Sequence, residues 1–151
     1  LEETGLFDEE HFAYLEDMDL GYRAKILGYE NWFVPEAVVY HAGSGTSGSR
    51  YNLFKVRYSS RNNIYMIYKN MPWLQILINL PFLTAGFLIK LIFFAAKGFG
   101  KEYAAGIKNG VSLAFKGSRN GKKMRFSWKH LKNYGKIQLQ LWANIVRRIT
   151  G

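Results

Sequence analysis

A chain of 151 residues, 48% apolar and 17% aromatic, carries enough hydrophobic material for one core, which excludes an intrinsically disordered chain. With no cysteine it has no thiolate metal site, no cysteine nucleophile and no disulfide framework. The net charge of +10 is sharply divided: residues 1–36 hold ten acids against Arg23 and Lys25, a balance of −8, and the remainder holds nineteen Lys and Arg against Glu102 alone, a balance of +18. A basic portion this rich in Leu, Ile, Phe and Trp suits an anionic membrane surface and argues against a nucleic-acid partner.

The chain opens at Leu1 in an acidic, aromatic stretch without an initiator Met or a signal-peptide pattern, so it is expected to be part of a longer protein. Residues 17–27 read as a short helix with Leu20, Ala24 and Leu27 on one face, carboxylates at its start and Gly28 as the left-handed stop. Residues 31–34 and 37–41 are β-rich runs, expected as two short strands joined by a bend at Pro35-Glu36. The Gly/Ser run at 43–49 reads as a loop or lid, or as a plain linker.

Residues 50–70 are helical in pattern, and Tyr51, Phe54, Tyr58, Arg61, Tyr65 and Tyr68 recur at three- and four-residue spacings on one face. Met71-Pro72 ends this helix. Residues 73–96 are strongly apolar, with Pro81 expected to break them and Lys90 costly at mid-bilayer, so an interfacial or re-entrant hairpin is favoured over a membrane span. Two more helices are expected over 102–115 and 127–149, separated by a basic turn at 117–123. In the second, Trp128, Leu131, Ile137, Leu141 and Ile145 form an apolar face and Lys129, Lys132, Lys136, Arg147 and Arg148 supply cations. Such a helix lies on anionic headgroups or packs on the domain with its cations solvated.

Chemistry concentrates in residues 7–23, where acids alternate with aromatics beside a helix start. The unpaired N–H groups and partial positive charge of a helix N-terminus keep Asp17 and Asp19 ionised and able to accept a proton. The plain alternative is that both are first-turn acids that only favour the helix. The run Tyr14-Leu15-Glu16-Asp17-Met18-Asp19-Leu20, then Tyr22-Arg23 and Leu27-Gly28-Tyr29, then residues 34–41 and Arg61-Asn62, together resemble the linked motifs of family 2 glycosyltransferases. The likeness is to the rhamnosyltransferase-like members that build bacterial surface polysaccharides, and it covers residues 1–71.

That resemblance implies an α/β GT-A type domain whose C-terminal, acceptor-side part is residues 1–71, followed by a membrane-associated helical region at 72–151. It implies an inverting glycosyltransferase that moves a sugar from a nucleotide-sugar donor to a saccharide or lipid-linked acceptor at the cytoplasmic face of the membrane. Asp17 would be the general base, with Glu16 and Asp19 shaping the acceptor site. His41 would ligate a divalent cation, manganese more readily than magnesium, whereas a lone strand-end His otherwise bonds nearby backbone. The nucleotide-binding half would precede Leu1, leaving residues 1–151 inactive alone. Arg61, among tyrosines, needs a partner: a phosphate oxygen of the donor, or an acid such as Glu16 or Asp19, with Tyr58 or Tyr65 adding a cation–π contact. Two readings from other classes stand beside this one, a non-catalytic basic membrane-binding or scaffold module and a basic RNA-binding domain, the last poorly matched by the long apolar run.

Overall fold

The computed structural model describes residues 2–40, 51–119 and 123–150. Helix α1 (Glu16–Leu27) ends as expected on Gly28, whose φ of 98° lets its N–H and that of Tyr29 reach back to the carbonyls of Lys25 and Ala24. Its start differs from expectation. Leu15, in the left-handed region at φ 69°, precedes it without a side-chain cap. The buried face is not Leu20, Ala24 and Leu27 but Asp19, Arg23 and Ile26. A polar stripe is buried there because its charges are paired, as shown below.

Helix α2 (Leu53–Asn70) starts at Asn52, whose side chain accepts from the Lys55 N–H at 2.8 Å, and ends before Pro72. Helix α3 (Trp73–Ala96) runs unbroken through Pro81, which corrects the expected break and hairpin. At 1.5 Å per residue its 24 residues reach about 36 Å, and it is long and apolar enough to cross a membrane. Helix α4 (Gly100–Arg119) extends through the Gly117 end of the expected basic turn; residues 120–122 of that turn lie outside the described residues. After a 3-10 turn (Trp128–His130) comes helix α5 (Leu131–Thr150).

The expected α/β architecture does not form: among the described residues there is no strand, and the helices assemble as a bundle. The reason is pairing. Residues 31–34 and 37–40 find no neighbouring strand for their N–H and C=O groups, and their local bonds are turns, from the N–H of Ala37 to Val34 and of Val38 to Glu36. Trp32 and Phe33 are left 79% and 87% exposed.

Helices α2 and α4 make the most extensive contact, along a stripe of α4 that includes Gly106, Gly110 and Gly117. A Cβ at Gly106 would stand 2.5 Å from the Arg57 carbonyl oxygen and one at Gly110 2.5 Å from that of Arg61, so only glycine permits this approach. A second contact joins α1, α3 and α5. Ile26, Tyr134 and Ile137 form its core with Tyr22, Met124 and Leu141 around them. The amides of Asn79 and Gln138 exchange hydrogen bonds of 2.7 and 3.0 Å, and Tyr22 donates to Gln75 at 2.7 Å. Helices from both sides of the 71/72 boundary therefore pack on each other.

Candidate functional site

The acids of the motif do not share one environment. Asp17, in the first turn of α1, is exposed, and its Oδ1 accepts from the Met18 N–H at 2.8 Å. Glu16 is half-buried, with Oε2 out of solvent and without a hydrogen-bond partner among the described residues. Asp19 is fully buried: it accepts from Lys69 Nζ at 2.9 Å, from Arg23 Nε at 3.0 Å and from Asn70 Nδ2 at 2.7 Å. Burial alone would push its carboxyl up, but the bonds from Asn70 and Lys69 and the charges of Lys69 and Arg23 outweigh that and hold it below the ordinary value. A carboxylate so enclosed anchors structure.

Lys69 is the centre of this network. Its ammonium also pairs with Asp8 at 2.8 Å, and Tyr65 donates to the same Asp8 oxygen at 2.9 Å. Asp8 in turn caps the 3-10 turn Glu9–His11 by accepting from the Glu10 N–H at 3.1 Å. Arg23 reaches the carbonyls of Thr4 and Leu6, so the segment before α1 is tied down at both ends.

The chain between that turn and α1 is strained. Phe12, Tyr14 and Leu15, none of them glycine, have φ of 56°, 69° and 69°, a conformation that costs about 1–3 kcal/mol per residue. Asn62 and Arg61 hold it. Asn62 Nδ2 lies 2.8 Å from the carbonyl of His11, 2.7 Å from that of Ala13 and 2.8 Å from that of Tyr14. The Arg61 guanidinium donates to the carbonyl of Glu10, to that of His11 at 3.2 Å and to Asn62 Oδ1 at 2.9 Å. Its expected cation–π partner is Tyr58, 4.7 Å from ring centroid to guanidinium carbon. Among the described residues the partners of Arg61 are thus backbone carbonyls and the Asn62 amide oxygen, not Glu16 or Asp19.

Phe12 and Tyr14 of this loop meet Phe54 and Tyr58 of α2, with ring centroids 5.7–6.4 Å apart, and make an aromatic patch beside the start of α1. His11 is fully buried against Tyr65, with neither ring nitrogen hydrogen-bonded among the described residues. His41 and the Gly/Ser run at 43–49 lie outside the described residues. Among the described residues no three His, Asp or Glu side chains group as metal ligands, and the motif acids diverge. The ligand expected for a manganese or magnesium ion, His41, is not among the described residues.

Sequence reasoning missed Asp8, Lys69 and Asn70. The signal was present in the charge division: an acid-rich segment followed by helices with Glu102 as their single acid invites pairing between them, as Asp8 and Asp19 with Lys69, and Glu10 with Lys116 at 3.5 Å, realise. No family model, no curated protein and no solved structure matches this chain.

Proposed function

We propose that this chain is the acceptor-side, membrane-associated portion of an inverting glycosyltransferase, with Asp17 as its general base. One observation carries the reading. Residues that the motif likeness links across some forty positions meet around a single loop: Arg61-Asn62 grip the carbonyls of residues 10–14, and that loop delivers Glu16 and Asp17. Asp19 and Lys69 fasten α1 beneath it. Asp17 stays open to a partner.

In the proposed reaction an acceptor hydroxyl attacks the anomeric carbon of a nucleotide-sugar. The new carbon–oxygen bond forms as the bond to the diphosphate breaks, the nucleoside diphosphate leaves with the electron pair, and the hydroxyl proton passes to Asp17. An aspartate is a weak base towards an alcohol, so the transfer comes late, once bonding to carbon has made the oxygen acidic. Position therefore matters more than a raised pKa, and a strained, clamped loop is a means of positioning. The aromatic patch of Phe12, Tyr14, Phe54 and Tyr58 offers ring faces to the acceptor sugar. Any divalent ion at the donor diphosphate falls to His41 and the nucleotide-binding half. Helix α3 holds the site at the cytoplasmic face of the membrane, where saccharide or lipid-linked acceptors of bacterial surface polysaccharide are within reach.

The second reading, a non-catalytic membrane-binding module, is favoured by the exposure of α3. Membranes carrying the protein together with its nucleotide-binding half, incubated with labelled nucleotide-sugars, discriminate between the two. Glycosyltransfer predicts labelled product that disappears in Asp17→Asn. Membrane binding without any product supports the module.

A further inference from the structure

We infer that a groove of about 790 Å³, between the first turns of α3 and the segment leading into α5, binds an anionic phospholipid, with an acyl chain along its apolar walls and its phosphate at Lys123 and Arg125. The inference rests on the membrane placement of α3 and is independent of sugar transfer.

The walls are apolar and uncovered. Trp73, Leu74 and Ile78 form one side, Phe126, Trp128 and Leu131 the other, and all six are exposed. The floor contains Gly135, where an added Cβ would meet nothing within 4 Å. A glycine inside a helix weakens it, and here its effect is to leave the groove open along α5.

The charge is one-sided. Lys123 and Arg125 line the groove, and no acid does among the described residues. The Lys123 ammonium sits 4.1 Å from the Tyr68 ring and 4.3 Å from the Trp73 ring, out of solvent, and donates to no acceptor among the described residues. Three N–H donors left unused are costly, and a phosphate reached by a small swing of this flexible side chain supplies their acceptors.

Position selects the lipid over other anions. The groove opens at the N-terminal end of a helix long enough to cross a membrane, and the end of such a helix lies at the interface where tryptophans collect and lipid phosphates sit. An acyl chain entering there runs beside α3, and a free phosphate would leave the apolar walls unused.

The test uses the full chain in phospholipid nanodiscs containing phosphatidylglycerol with a photoreactive diazirine in its acyl chain. Labels are expected at residues 73–78 and 126–135, with unlabelled phosphatidylglycerol competing at least tenfold better than phosphatidylcholine, and inorganic phosphate not competing. Lys123→Gln should reduce that preference severalfold. Gly135→Phe projects into open space and favours the helix; with unchanged far-ultraviolet circular dichroism it should lose at least nine-tenths of the groove labels. Labels spread evenly along α3 in the unaltered protein, equal competition by phosphatidylcholine, competition by inorganic phosphate, or full labelling of folded Gly135→Phe would each overturn the inference. Alkaline extraction reads the placement of α3 separately, so loss of groove labels with α3 retained in the bilayer counts against the groove alone.

Discussion

At the scale of single residues, the two aspartates of the motif divide labour by burial. Two positions along a helix turn the side chain by about 200°, enough to send Asp17 to solvent and Asp19 into the ion network. Lys69 is the most exposed to loss, because Lys69→Met leaves Asp8 and Asp19 short of their shared cation. Breaking such a buried network should cost about 3–5 kcal/mol, measured by chemical denaturation in micelles. His11 supplies a pH dependence. Burial lowers its pKa from 6.5, opposed by Asp19, assisted by Lys69, opposed by Asp8 and assisted by Arg61. The unfolded chain therefore takes up a proton near pH 6.5 that the fold excludes, so stability is full above that pH and falls as pH drops towards the folded value. His11→Leu should flatten the decline in thermal midpoint between about pH 7 and 5. A profile as steep as that of the unaltered protein would show that another group titrates there.

At the scale of elements, the sequence carries local signals plainly and long-range ones hardly at all. Gly28 and Pro72 mark helix ends through backbone chemistry that lies within a few residues, so the ends of α1 and α2 were legible, whereas α2 begins after Asn52 and not at residue 50. The buried face of α1 was not, because Asp19 and Arg23 are buried only by virtue of Lys69 and Asn70, fifty positions away. Pro81 misled differently, since a proline inside a long apolar helix removes one hydrogen bond without ending it. Around the candidate site, the first-turn position of Asp17 and the Arg61–Tyr58 contact were legible, whereas the grip of Asn62 on three carbonyls depends on a loop geometry that no spacing reveals. The α2–α4 contact gives a direct check. Gly110→Ala drives a Cβ against the Arg61 carbonyl and should destabilise the fold by about 1–3 kcal/mol, while Gly86→Ala, with nothing within 4 Å, should cost nothing. Equal stability of the two variants would mean that the helices are not so closely apposed.

At the scale of the whole molecule, the division between an acidic start and a basic remainder is partly internal: Asp8, Glu10 and Asp19 meet Lys69 and Lys116 across it. What remains is an excess of cations beside an exposed apolar helix, a combination suited to an anionic bilayer. If α3 spans, the protein should stay in the membrane pellet at alkaline pH and in high salt; release by salt alone would place it on the surface. The most direct test of the proposed function sets Asp17→Asn beside Asp19→Asn in the proposed glycosyltransferase, this chain together with the expected nucleotide-binding half, recording sugar transfer and thermal stability for each. Asp17→Asn should retain its fold and nucleotide-sugar binding while turnover falls by about a hundredfold to ten-thousandfold, as for a lost general base, and Asp19→Asn should lose stability first. Near-normal turnover in a folded Asp17→Asn variant would contradict the account.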